Sequence, residues 1–175
     1  MSRLQFALSN IVFARTYTLQ FLDGLPDADW FRLPPGGVTH IAWQVGHLAI
    51  AQYFLVLDRV RGVKPEDELL IPTAFRNCFE RGSYVGFDPA EYPLIEEIRA
   101  TFDRVHEAVL TELPGVPDAE LDTPVTRPHK IAKTKLDVLN WCSAHEMVHA
   151  GQIALLRTNR PRNSCRRAGR GHARP

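Results

Sequence analysis

The sequence predicts an all-α protein: a four-helix bundle with up-down-down-up topology and a long crossover between the second and third helices. Three observations predict it. Four stretches of about twenty residues carry apolar side chains at helical spacing. Segments rich in Pro, Gly and polar residues separate them. No stretch shows the apolar–polar alternation of a half-buried strand.

The first helical stretch runs from about Ser2 to Leu22, with Leu4, Leu8, Ile11, Leu19 and Leu22 on one face. Leu25-Pro26-Asp27 closes it with turn residues. The second runs from about Thr39 to Arg61. Gly36-Gly37 breaks the chain before it, Thr39 reads as its N-cap and Gly62 as its stop. It is apolar nearly all round, so it should be buried. Residues 63–90 then form a long connection punctuated by Lys64-Pro65, Ile71-Pro72, Arg81-Gly82-Ser83, Gly86 and Asp88-Pro89. A connection of this length is usually functional or crosses the fold. Spanning the bundle, it would let the second and third helices run parallel. The third stretch runs from about Glu91 to Leu113, with Ile95, Ile98, Phe102, Val105 and Val109 on one face. A Pro-rich, polar loop follows over 114–133, and the fourth stretch runs from about Thr134 to Arg157.

The 175 residues fit one domain, read as 1–157, with a basic tail over 158–175. From Arg157 onward there are seven arginines and no acid, which leaves fourteen basic and twenty acidic residues and a formal charge of −6 on the body. An acidic body argues against nucleic-acid binding through the bundle. The tail is too polar to order itself and is expected to be disordered. No apolar run is long enough for a membrane span. The N-terminal residues do not resemble a signal peptide, so a cytoplasmic location is expected. Cys78, Cys142 and Cys165 are widely spaced and give no disulfide framework.

The chemistry centres on His145-Glu146-Met147-Val148-His149. Two histidines four apart stand one above the other on a helix, which is how a helix offers two imidazoles to one metal ion. On a helical wheel Val138, Cys142, His145, His149, Gln152 and Leu156 share one sector. On the second helix His47 shares its sector with His40, Gln44, Ala51, Phe54 and Asp58. If these faces meet, His47, His145 and His149 converge. Three neutral imidazoles with an open position make a catalytic-type divalent site. The bland alternative is three core histidines held by hydrogen bonds, and burying three imidazoles without a ligand is costly.

The local string also fits the H-E-x-x-H zinc-protease motif, with Glu146 as general base. That reading needs a later ligand, and Gln152 and Leu155 stand where the extended motif has Gly and His. A di-iron bundle would need a second Glu-x-x-His, for which the nearest string is Asp103 to His106. Glu146 lies roughly 80° from the centre of the inner face, which suits a solvated carboxylate or one that orients a ligand. His40, Gln44, Asp58 and Gln152 are candidates for substrate contact. Arg15, amid the apolar face of the first helix, is a snorkelling surface residue or an anion clamp.

Ile41-Ala42-Trp43-Gln44-Val45-Gly46-His47-Leu48-Ala49, the string from His145 through Gln152, and Leu155-Leu156-Arg157 resemble the DinB-like (DinB/YfiT) four-helix family. So does the connection from Phe75 to Pro93. The resemblance covers about residues 4–157; the tail does not share it. It implies an up-down-down-up bundle with a three-histidine site for a divalent metal, often nickel or zinc, with His47, His145 and His149 as ligands. It implies a homodimer. It also implies either an enzyme that activates a low-molecular-weight thiol or a water, as a thiol S-transferase or hydrolase would, or a non-catalytic metal-binding stress-response module.

Overall fold

The computed structural model describes residues 1–158. Six helices are present among them: α1 (Arg3–Leu22), α2 (Ile41–Gln52, continuing without a break as a π-helix over Tyr53–Arg61), α3 (Asp67–Leu70), α4 (Thr73–Phe79), α5 (Ile95–Glu112) and α6 (Lys135–Thr158). The four long ones, α1, α2, α5 and α6, form the expected all-α bundle. Beyond them there are short 3₁₀ turns and one isolated bridge, Pro124 to Thr134. The basic tail read over 158–175 lies outside the described residues from 159 onward.

Contacts at the helix ends fix the directions. Arg3 at the start of α1 pairs with Asp118 and Asp122, just ahead of α6, while Arg157 near the end of α6 reaches the Phe21 carbonyl at 2.8 Å. These two helices therefore run parallel. Arg61 at the end of α2 pairs with Glu112 at the end of α5, and His40 before α2 packs edge-on against Tyr92 before α5. Those two also run parallel. The Thr126 N–H donates to the Arg59 carbonyl at 3.1 Å, which sets the end of α2 beside the loop that leads into α6. So α2 and α6 are antiparallel, and the order is up-down-down-up.

Ser2 caps α1 in a reciprocal box: its Oγ accepts from the Gln5 N–H, and its own N–H donates to Gln5 Oε1. The buried seam of α1 is Leu4, Ala7, Ile11, Ala14 and Thr18, at alternating steps of three and four, with Leu22 closing it. Leu19, expected on this face, is 42% exposed. Small residues let α1 lie close to α6, its main neighbour.

The N-cap of α2 is His40, not Thr39: His40 Nδ1 accepts from the Trp43 N–H at 3.1 Å. Gly62, at φ +93°, ends the helix as expected, since a left-handed stop favours a residue without Cβ. The third long helix begins later than expected, at Ile95, because Pro93 pushes the preceding backbone out of helical geometry. The crossover over 63–90 folds into α3 and α4, and α4 packs on α2. The core is continuous through the bundle, with Trp30, Tyr53, Phe79 and Phe102 fully buried.

Candidate metal centre

His47, His145 and His149 come together where α2 meets α6. Their candidate ligand atoms lie within 4.8 Å of one another. The ring centroids of His47 stand 5.0 Å from His149 and 5.6 Å from His145, and those of His145 and His149 stand 4.5 Å apart. His149 is buried, while His47 and His145 are partly buried and line a cleft of about 550 Å³.

Two of the three imidazoles are oriented from behind. His47 Nδ1 donates to the Phe79 carbonyl at 2.9 Å. His149 Nδ1 donates to Gln44 Oε1, whose amide Nε2 in turn reaches Thr39 Oγ1 at 3.1 Å. A ring whose Nδ1 carries the proton keeps its Nε2 lone pair, so both histidines turn a donor atom into the cluster. His149 Nε2 faces His145 Nε2 at 3.2 Å. Two nitrogens each at ~2.0–2.1 Å from one tetrahedral zinc stand about 3.3 Å apart, so this spacing fits a shared ion.

Burial holds all three rings neutral. It lowers His149 to about 3, with His145 and His47 adding to the effect, and lowers His145 to about 4, with His47 and His129 adding. Burial lowers His47 too, against the Phe79 bond that favours its charged form. Neutral imidazole is the form that ligates metal. The donor set, the tautomers and the spacing thus suit a borderline divalent cation. The cluster could hold one.

The crossover builds the site's outer wall. Trp43 stacks flat on His47, with centroids 4.7 Å apart and planes within 7°. Its Nε1–H donates to Ser83 Oγ, and that hydroxyl donates to the Cys78 carbonyl, both at 3.0 Å. Gly82 sits at φ +92°, a backbone geometry that favours Gly, in the turn that brings Ser83 back. Gly46, one residue before His47, faces the Phe79 ring so closely that a Cβ there would lie 2.5 Å from it.

The candidate substrate residues have other partners. Gln44 orients His149. His40 caps α2, and its Nε2–H donates to the Gly86 carbonyl at 2.9 Å, so it ties the crossover to the helix. Asp58 is 1% exposed and paired with Arg127 at 2.7 Å. Gln152 is exposed and does not line the cleft. Of the expected sector, Val138, Cys142, His149 and Leu156 are buried, His145 is partly buried and Gln152 is exposed, while Leu139, Glu146, Ala150 and Ile153 widen the buried face. That face is wide because α6 packs along both α1 and α2.

Arg15 is neither a snorkelling residue nor an anion clamp. Its guanidinium is 3% exposed and stacks on the Phe102 ring at 3.3 Å. It donates to Glu146 Oε1 at 2.8 Å, to the Phe102 carbonyl at 2.8 Å and to Gln52 Oε1 at 2.9 Å. Glu146 is likewise buried, not solvated, and is engaged away from the histidines, which removes the zinc-protease base. Of the di-iron pair, Asp103 is exposed and His106 bonds Gln52 at 3.1 Å.

Sequence reasoning missed Trp43, Phe79, Ser83, His129 and Arg59 as parts of this region. Phe79 acts through its backbone carbonyl, which no side-chain pattern reveals. The string Arg81-Gly82-Ser83 was the available signal for the crossover wall.

A helical bundle that gathers three neutral imidazoles at a cleft defines a candidate divalent-metal protein. The sequence profile of the DinB superfamily matches residues 10–153, and the chain belongs to that superfamily. A search of curated proteins found no match.

Proposed function

We propose that this chain is a metal-dependent enzyme of the thiol S-transferase or hydrolase type, with a divalent cation, nickel or zinc, held by His47, His145 and His149. The observation that carries the reading is a set of three neutral imidazoles, two of them fixed through Nδ1, at the side of an open cleft. A divalent cation held there lowers the pKa of a bound thiol or water and so supplies a nucleophile at neutral pH. Gln44 and the Phe79 carbonyl keep the ring nitrogens aimed, and Trp43 fixes the plane of His47. Trp141, Ile50 and Phe54 form an apolar wall that limits water around the ligand.

The chain's own thiols are poor nucleophiles among the described residues. Cys142 is buried in the core and pushed far above its ordinary value by that burial, with Glu146 adding. Burial raises Cys78 as well. On this reading the nucleophile is a water or a low-molecular-weight thiol that enters the cleft.

The test is a turnover screen of metal-loaded protein with glutathione, mycothiol and bacillithiol against a chromogenic electrophile, and with activated esters. The expected result is thiol- or water-dependent turnover that is lost in His47→Ala. Metal binding without turnover on any pairing would favour a non-catalytic metal-binding module.

We also propose a homodimer through α1 and α6. These neighbouring helices leave Phe6 and Phe13, Val12 and Leu19, and Val148 and Leu155 exposed in pairs seven residues apart. Such stripes on adjacent helices suit a helix–helix interface.

A further inference from the structure

The cleft beside the histidines carries a charge opposite to that of the acidic body. Arg59, Arg81 and Lys130 line it against a single acid, Glu80. Its remaining wall is largely apolar, with Ile50, Phe54 and Trp141 contributing. Its volume, about 550 Å³, suits a small molecule.

Arg59 is the informative residue. Its side chain is partly buried, and among the described residues the side chain's only hydrogen bond runs from Nη1 to the Phe54 carbonyl at 2.6 Å. Its Nε is buried without a partner. The adjacent carboxylate, Asp58, is taken by Arg127. A guanidinium that is partly desolvated and short of acceptors is costly, and a carboxylate on its fork would satisfy it. Burial lowers the stability of its charge against the support of nearby Asp58, and Arg127 lowers it further, so a bound anion would relieve it. Arg81 and Lys130 are exposed at the rim, where they would draw an anion in.

Arg59 follows His47 by twelve residues on one continuous helix. Its guanidinium reaches back along that helix to the Phe54 carbonyl, and Phe54 lies seven residues past His47, about 10 Å along the axis at ~1.5 Å per residue. A ligand that touches both ends of the cleft is therefore elongated.

We infer that the cleft binds an elongated amphipathic carboxylate, with the carboxylate on Arg59, the apolar body against Phe54, Ile50 and Trp141, and the opposite end at the three histidines. Only the last clause rests on the metal-enzyme reading; the carboxylate site stands without it.

The test is calorimetric titration of octanoate and octanol into the full chain, as wild type, Arg59→Gln, Arg59→Lys and His47→Ala. Octanoate should bind wild type at least about tenfold tighter than octanol, the worth of one charge-assisted hydrogen-bonded pair. The preference should vanish in Arg59→Gln, persist in part in Arg59→Lys and survive in His47→Ala. Equal affinity for the two ligands in wild type would overturn the inference. So would a preference that survives Arg59→Gln but disappears in His47→Ala, since the carboxylate would then sit on the metal. A carboxylate preference that follows Arg59, in a protein inert in the turnover screen, would uphold this site and overturn the enzyme reading alone.

Discussion

Arg15 and Glu146 show how much chemistry a single pair carries out of sight. Both are almost fully buried, and each depends on the other for charge compensation. Glu146→Ala leaves a buried guanidinium with only carbonyl partners and should cost about 3–5 kcal/mol of stability, read as the unfolding midpoint in urea. Glu146→Gln keeps a hydrogen-bond acceptor and should cost clearly less. Equal midpoints for wild type and Glu146→Ala would contradict the pairing. The pair was illegible in the sequence because its partners are 131 residues apart and helical periodicity reports only one helix at a time. A second prediction concerns His40 and His106, which lie outside the metal set. Burial lowers both from an ordinary 6.5 to about 4; the Gly86 bond opposes this at His40, and Arg15 reinforces it at His106. The unfolded chain takes up these protons below about pH 6.5, while the folded chain does not until about pH 4. Their contribution to stability is thus whole above pH 6.5 and is lost as pH falls from 6.5 toward 4. Thermal unfolding across this window should show a falling Tm, with a shallower fall in His106→Gln. A slope unchanged by that substitution would contradict the assignment.

At the scale of elements, the crossover matters most. Its length was legible as a functional or fold-crossing segment, and α3 and α4 within it were not, because four and seven residues give too little periodicity. Its grip on α2 runs through Gly46. A Cβ at that position would meet the fully buried Phe79 ring at 2.5 Å, so the ring or the helix must shift. Gly46→Ala should therefore cost about 1–3 kcal/mol by overpacking and shift the Phe79 carbonyl away from His47. Tm and bound metal measured together should both fall; wild-type values for both would contradict the account. The π-helix over Tyr53–Arg61 was equally hidden. Its sequence runs on from α2 without a breaker, and the wider turn shows in bonding such as that of the Gly62 N–H to Leu57 as well as Asp58. That change of register accompanies the inward placement of Asp58 and the turning of Arg59 to the cleft, so the expected pairing of Asp58 with the histidine face did not follow. The histidine spacing on α6 and the face of His47 on α2 were legible, because both are set within ordinary α-helix.

For the whole molecule, the four long helices, their order and the parallel middle pair could be read from period, punctuation and connection length. How the helices rotate about their own axes could not, and this is why Leu19 and Gln152 face outward while Glu146 faces in. Among the described residues no helix is long and apolar enough to cross a membrane. The exposed apolar pairs on α1 and α6 predict that light scattering will give twice the 19.8 kDa of one chain. A mass equal to one chain, unchanged on concentration, would contradict the dimer. In the proposed site, α2 and α6 share one metal ion. Metal content by plasma mass spectrometry tests it most directly, on wild type, His47→Ala and His149→Ala purified without an affinity tag or added metal. Wild type should hold about one divalent ion per chain, as a single three-imidazole site would, and both variants should lose it. No metal in wild type, none taken up on titration, and variants that melt like wild type would reduce the three histidines to core packing.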